Sequence, residues 1–105
     1  MVKINWTIQS VEDINSIAEF ISRDSEKYAG LQVEMFFDYS QILESQPLAG
    51  RIVPELDKKN IRELIIGNYR LIYEIISANR IDILTVHHSA RLIINSPVFR
   101  KKNKK

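Results

Sequence analysis

The chain has 105 residues, of which 45% are hydrophobic and 27% are charged, a composition that fits one small domain with a modest core. It contains no cysteine, which excludes a disulfide framework and a thiolate metal site. The net charge of +2 conceals an asymmetry, since residues 1–50 carry 3 basic and 8 acidic side chains whereas residues 51–105 carry 12 and 5. The N-terminus lacks a basic segment followed by an apolar run, and no window is long enough to span a bilayer, so we expect a cytoplasmic protein with no membrane partner.

The first half of the chain has the pattern of one strand followed by two helices. Residues Val2–Thr7 alternate apolar and polar side chains, as in a half-buried strand. Ser10 resembles a helix cap, and apolar residues at helical spacing predict a first helix over Ser10–Arg23. Ser25 is a second predicted cap, and the helix after it should extend to about Ser45. One face of this second helix carries Tyr28, Leu31, Met35, Tyr39 and Ile42.

The second half predicts a three-stranded antiparallel meander. Its strands are three apolar runs rich in β-branched residues: Ile61–Ile66, Tyr69–Ile76 and Ile81–His88. Gly67-Asn68 fits a two-residue hairpin turn that needs a positive φ at its first position. With the N-terminal strand beside the meander, the expected fold is α+β in the order βααβββ. We expect one domain over residues 1–95 and a flexible basic tail over residues 96–105.

Basic side chains recur along the predicted sheet and favour a binding site for a polyanion. Arg62 and Arg70 lie on strands joined by the tight turn, so they could converge with His88 and Arg91 at the end of the last strand. A guanidinium group can donate two parallel hydrogen bonds to phosphate oxygens, and a histidine can transfer a proton near neutral pH. Such a cluster would suffice for RNA cleavage.

The same residues also have structural explanations. His88 could be a hydrogen-bonded imidazole at a strand end, and Arg70 could pair with an acidic neighbour. Glu63 and Glu74 alternate with basic residues and are expected to form only cross-strand ion pairs, so we assign them no chemistry. Two adjacent histidines do not make a tetrahedral metal site, and no Gly-rich turn feeds a helix, so no metal or cofactor is expected.

The order and spacing of several short motifs resemble the RelE/ParE family of toxins from type II toxin–antitoxin modules. The motifs are Gly50-Arg51, Arg62-Glu63-Leu64, Gly67-Asn68-Tyr69-Arg70-Leu71-Ile72-Tyr73 and Val86-His87-His88-Ser89-Ala90-Arg91. The resemblance covers nearly the whole chain and implies the same α+β fold. It also implies a toxin that arrests growth.

The family has two branches, and the resemblance allows both. RelE-like members cleave mRNA held in the ribosome; there Arg70 would stabilise the phosphate, while Glu55 and His88 would be base and acid. ParE-like members poison DNA gyrase by protein contact and have no catalytic residues. This chain lacks the lysines and the final tyrosine of RelE. We favour the ParE-like branch because its members are more similar at Val53-Pro54-Glu55, Arg62-Glu63-Leu64 and Val86-His87-His88-Ser89-Ala90-Arg91. In either branch, Arg51, Arg62, Arg70 and Arg91 are candidates for binding the target.

The resemblance also implies a protein antitoxin as partner, in a possible hetero-oligomer with the toxin. Apolar residues on the second helix exceed what packing against one layer requires, and they suggest a docking surface. The candidate contacts are Tyr28, Leu31, Met35, Phe36 and Tyr39. With a basic sheet nearby, we expect an amphipathic, partly acidic partner segment that folds on binding. A non-toxic interaction module with the same fold is the alternative of another class.

Overall fold

A computed structural model describes residues 1–90 and 97–100, and in α3 the side chains of Val98 and Phe99 alone. The chain runs in the order β1 (Lys3–Trp6), α1 (Ile8–Ser22), α2 (Glu26–Ser40), a 3₁₀ turn (Gln41–Glu44), β2 (Arg51–Ile52), β3 (Ile61–Ile66), β4 (Tyr69–Ser77), β5 (Arg80–His88) and α3 (Pro97–Arg100). The strands form one sheet in the spatial order β1-β5-β4-β3-β2. The α+β class and the meander are therefore confirmed.

The sheet is antiparallel except at one edge, where β1 runs parallel to β5. The parallel pairing follows from the two helices between β1 and the meander, which carry the chain back over one face of the sheet. The sequence did not predict β2, which has only two residues. It pairs Arg51 with Glu63 and Ile52 with Arg62 at the opposite edge.

Both helices begin at side-chain caps, although one cap differs from the prediction. Thr7 caps α1 because its hydroxyl oxygen accepts a hydrogen bond from the Ser10 N–H at 3.2 Å, so the helix begins two residues earlier than predicted. Ser25 caps α2 as predicted, accepting from the Tyr28 N–H at 3.1 Å. The end of α2 tightens into the 3₁₀ turn rather than remaining α-helical to Ser45.

The turn between β3 and β4 has the predicted form at its first position. Gly67 has a φ of +61°, a conformation that costs a glycine little. Asn68 does not share this left-handed conformation, although its side chain would tolerate it.

The sheet is covered on both faces. On the first face, α1 and α2 pack over a core that includes Ile14, Phe36, Leu71, Tyr73 and Ile83. We call this the helix face. The second face carries a smaller core of Val53, Ile61, Ile72 and Phe99. No helix in residues 1–90 and 97–100 is long and apolar enough to cross a membrane.

The smaller core includes part of the predicted tail. Phe99 lies in α3 and is only 2% exposed, although the sequence placed it in a flexible segment. Its burial follows from contacts with Val53, Ile61 and Ile72, which form an apolar patch that α3 covers. Residues 101–105 lie outside the described part of the chain.

Candidate functional site

Four charged side chains form a connected cluster on the face opposite the helices. Arg70 of β4 lies at its centre, next to Glu63 of β3 and Glu55 of the β2–β3 loop, and Arg51 of β2 completes it. The position of Arg70 follows from the strand period of two, since Ile72 on the same side of β4 belongs to the smaller core. We call these four residues the ion cluster.

The guanidinium of Arg70 is held by two carboxylates. Its Nη1 and Nη2 each donate to one oxygen of Glu55, both at 2.8 Å, in a paired geometry. Its Nε donates to Oε1 of Glu63 at 2.6 Å. The other oxygen of Glu63 accepts from Nε of Arg51 at 2.5 Å, so Glu63 bridges two arginines. All three nitrogens of Arg70 therefore bind carboxylate oxygens.

Burial differs sharply within the ion cluster. Arg70 is 6% exposed and Glu63 only 1%, whereas the side chains of Arg51 and Glu55 are 63% and 30% exposed. Removing a charge from water is costly unless an opposite charge and hydrogen bonds replace the solvent. The inner pair, Arg70 and Glu63, is stable in this position because Glu55 and Arg51 complete the charge balance from the outside.

The pairing shifts the pKa values of both Glu55 and Arg70. Hydrogen bonds from Arg70 lower the pKa of Glu55 to about 2, against a smaller opposing effect of burial. Hydrogen bonds to Glu55, and then to Glu63, raise the pKa of Arg70 above its usual range although burial opposes this. Glu55 is therefore ionised at neutral pH with both oxygens occupied, which makes it a poor general base.

The predicted convergence of Arg62, Arg70 and His88 is wrong. Arg62 pairs with Tyr73 and His88 pairs with Tyr69, and both tyrosines point into the core under the helices. Arg62 and His88 therefore share the helix face, whereas Arg70 lies on the opposite face. The two-residue turn fixes the register of β3 against β4, and this register puts Arg62 and Arg70 on opposite faces. The spacing of residues along each strand did not reveal the register. Arg91 lies outside the described residues.

Arg62 and His88 both have structural contacts. Arg62 donates to the backbone oxygens of Gly50 at 2.9 Å and Lys59 at 3.1 Å, and so ties the residue before β2 and the end of the β2–β3 loop to β3. His88 is exposed; its Nδ1 accepts from the Ala90 N–H at 3.1 Å. Its ring packs edge-on against Tyr69, with 5.6 Å between centroids. This arrangement matches the structural explanation of His88.

Tyr73 and Gly50 fix the backbone that leads into Arg51 of the ion cluster, a role that the sequence did not reveal. The hydroxyl of Tyr73 donates to the Pro47 oxygen at 2.8 Å and accepts from the Gly50 N–H at 2.9 Å. A β-carbon at position 50 would lie 2.6 Å from the Glu63 backbone oxygen and 2.7 Å from the Tyr73 ring. Only glycine fits there, so the Gly-Arg motif has a packing reason.

Glu63 was the other residue that the sequence analysis undervalued. It alternates with Ile61 and Ile65, and Ile61 belongs to the smaller core. A carboxylate in register with a core residue is the signal that could have identified it, because a charge in that position needs a buried partner.

The predicted docking residues on α2 divide into exposed and buried groups. Tyr28, Leu31 and Tyr39 are exposed, and Met35 is half-buried against the core. Phe36 is fully buried under the helix face, so its assignment to a docking surface is wrong. The exposed residues follow the predicted helical spacing, whereas Phe36 lies on the side of α2 that packs against the sheet. An exposed apolar stripe therefore remains along α2.

No group of three or more His, Cys, Asp or Glu side chains in residues 1–90 and 97–100 is arranged to hold a metal ion. The candidate site thus has two parts. The ion cluster of arginines and glutamates lies on one face of the sheet, and the apolar stripe lies on α2, which covers the other face. Both features are compatible with protein contacts.

Comparison with known proteins identifies the family. The model of the ParE toxin of the type II toxin–antitoxin system, parDE, matches residues 4–93. A solved structure described as the chromosomal ParDE TA system from P. aeruginosa is similar at 16% identity, with a TM-score of 0.69 over 84% of this chain and 96% of that one. The YoeB/ParE toxin from Agrobacterium tumefaciens is similar at 20% identity, with a TM-score of 0.56 over 83% and 98%. No curated protein matches the sequence. The family match spans most of the chain, and the chain therefore belongs to the ParE toxin family of type II toxin–antitoxin systems.

Proposed function

We propose that this toxin arrests growth by binding DNA gyrase through protein contact, without cleaving RNA, and that a protein antitoxin neutralises it. The observation that carries the proposal is the state of Arg70. Its guanidinium is buried, and every nitrogen of it binds a carboxylate oxygen. A phosphate at this guanidinium would have to compete with the carboxylates of Glu55 and Glu63.

Cleavage of RNA needs groups that a single phosphodiester can contact together. An acid, a base and a phosphate-binding cation must lie within hydrogen-bond reach of the reacting atoms. Here His88 lies on the helix face and Arg70 on the opposite face, with the sheet between them. One RNA segment cannot contact both side chains at once.

The charge around Arg70 also opposes RNA binding. A phosphate at this site would approach the carboxylates of Glu55 and Glu63, which already bind Arg70. To reach the phosphate, Arg70 would have to leave both carboxylates, and Glu63 is almost fully buried. Breaking a buried ion pair in this way costs about 3 to 5 kcal/mol. The ion cluster therefore fits a structural role better than a catalytic one.

Contact with a protein target needs a different surface, and the exposed side of the cluster provides one. Arg51 is largely exposed, and Lys58 and Lys59 of the adjacent loop are exposed as well. Glu55 and Arg70 hold this loop against the sheet, so its basic side chains are presented on a fixed backbone. A fixed basic surface suits recognition of an acidic patch on a partner protein.

Two assays in parallel test the proposal. Purified toxin is incubated with gyrase and supercoiled DNA, and separately with translating ribosomes and mRNA. We expect trapped gyrase–DNA breaks and no codon-phased cuts in the mRNA. His88→Ala should behave like the wild type, because its side chain is exposed and makes no contact with the ion cluster.

Codon-phased mRNA cuts that disappear in His88→Ala would overturn the proposal and establish the RelE-like reaction. Arg70→Ala is the matching variant on the other face, with Arg23→Ala, directly after α1, as an exposed arginine control. Growth arrest by the toxin alone, relieved by co-expression of its cognate antitoxin, tests the antitoxin part. Soluble toxin that leaves growth unaffected would count against the toxin function itself.

A further inference from the structure

The outer edge of β3 is only partly covered. In the described part of the chain, β2 is its only partner on that side, and the pairing reaches no further than Glu63. The Ile61 oxygen accepts from the Val53 N–H, so Ile61 directs its backbone groups outward. Alternate residues of an antiparallel strand direct these groups to the same side, which places those of Ile65 outward as well. Ile65 therefore presents an N–H and a C=O at an open edge.

An apolar groove of about 420 Å³ runs beside this open edge. It lies between the end of α2 and β3, and its lining consists of Asp38, Tyr39, Ile42, Leu64, Ile65 and Ile66. Tyr39 is 52% exposed and Ile65 is 50% exposed, so large apolar side chains face solvent next to free backbone groups. Proteins usually cover such an edge, because it invites pairing with another chain.

The polar side of the groove is acidic. Asp38 lies in its lining, and exposed Glu34 precedes it by one turn on the same side of α2. None of the described residues that line the groove is basic. The sheet arginine expected to attract an acidic partner, Arg70, is neutralised on the opposite face. A segment that fits the groove must therefore be apolar and basic, which differs from the partly acidic partner that the sequence suggested.

We infer that the antitoxin adds a short extended segment to the open edge at Ile65, as a sixth strand of the sheet. Its backbone pairs with the N–H and C=O of Ile65, its apolar side chains contact Tyr39 and Ile42, and a Lys or Arg lies at Asp38. The turn at Gly67 and the end of β2 at Arg51 limit the added strand to about three or four residues. The inference rests on the toxin–antitoxin assignment but not on the identity of the target.

Amide hydrogen exchange tests the added strand directly in the wild-type toxin. The probe is the purified cognate antitoxin, added in saturating amount. We expect the Ile65 amide to exchange about tenfold more slowly, or slower still, in the complex. Amides of β1, at the other edge of the sheet, provide the internal control and should change little. An Ile65 amide whose exchange is unchanged in the complex would overturn the inference.

Two pairs of variants test the side-chain contacts. Ile65→Lys and Asp38→Lys should weaken antitoxin binding by about tenfold or more, because each places a positive charge where an apolar or basic residue binds. Ile76→Lys and Glu19→Lys are the matched controls, since both positions are exposed and lie outside the groove. Binding by Ile65→Lys and Asp38→Lys as tight as that of the controls would refute the assigned contacts.

The cellular readout separates this inference from the toxin function. Ile65→Lys should still arrest growth but should no longer be neutralised by the antitoxin, whereas Ile76→Lys should be neutralised normally. If the wild type itself fails to arrest growth, the toxin function is contradicted. The exchange measurement on the purified complex still decides whether the edge of β3 binds the antitoxin.

Discussion

The buried half of the ion cluster provides a quantitative test of how the far face of the sheet is stabilised. Replacing Arg70 by Met keeps a side chain of similar length but removes the charge that Glu63 and Glu55 share. Among the ion pairs of the described residues, Glu63, at 1% exposure, would keep the one with Arg51 alone. Glu55 would lose its paired hydrogen bonds but can turn to solvent, since 30% of its side chain is already exposed.

The expected cost of Arg70→Met is about 3 kcal/mol in the free energy of unfolding, near the lower end of the range for breaking a buried ion pair. It lies at the lower end because Arg51 still compensates Glu63 in part. For a domain of this size, that loss lowers the melting temperature by about 12 °C or more. The assay is urea unfolding followed by circular dichroism, with the slope of the transition compared between variants.

The matched control is Arg80→Met. Arg80 binds Asp82 through two hydrogen bonds of 2.8 and 3.0 Å, a geometry much like that of Arg70 with Glu55, but this pair lies at the surface. Solvent screens such a pair, so its loss should change stability far less. If Arg70→Met loses no more stability than Arg80→Met, burial is not what makes the ion cluster important, and the reasoning fails.

A second variant tests the cause of the loss. In the double variant Arg70→Met/Glu63→Met, no buried carboxylate is left without its main partner, and Arg51 remains mostly in water. We expect it to recover about 1 kcal/mol or more of the stability lost in Arg70→Met alone. Losses that simply add would show that Glu63 and Arg70 act independently.

Three further predictions follow from single residues. Because the pKa of Glu55 is lowered to about 2, the stabilisation that its carboxylate provides is complete above the unfolded value near 4.5 and is lost as the pH falls from there toward 2. Between pH 5 and pH 2.5, the free energy of unfolding measured in urea should fall by about 1 kcal/mol more for the wild type than for Glu55→Gln, a value reduced from the full effect by solvent screening. Equal losses in the two proteins would contradict the pairing of Glu55 with Arg70. Gly50→Ala should lower the free energy of unfolding by about 1 to 3 kcal/mol, because the added β-carbon would lie 2.6 Å from a backbone oxygen. Gly30→Ala, in α2 with open space around it, should be neutral or stabilising by up to about 1 kcal/mol. Thermal unfolding distinguishes the two variants. Phe99→Ala should lower the free energy of unfolding by about 3 kcal/mol by leaving a cavity in the smaller core, whereas Phe20→Ala, at an exposed position, should change it little. Equal melting temperatures of the two variants would show that α3 contributes nothing to stability.

The sequence alone was sufficient for the elements whose signals are local. Alternation at Val2–Thr7 predicted β1, apolar runs rich in β-branched residues predicted the meander, Ser25 predicted the start of α2, and Gly67 predicted the hairpin turn. These features depend on period, capping and backbone freedom, which neighbouring residues determine. The order of short motifs also carried the family resemblance, and the family match over residues 4–93 confirmed it.

The tertiary structure decided which of these residues meet. The register of β3 against β4 put Arg62 and Arg70 on opposite faces, although both looked like members of one basic surface. The β2–β3 loop then brought Glu55 to Arg70 across 15 positions of sequence, and the same cluster turned Glu63 from an expected surface acid into a buried bridge. On α2, packing buried Phe36 and left Tyr39 in solvent. A pattern along the chain specifies how often a face recurs, but only packing against other elements determines which face is covered and which charges are paired.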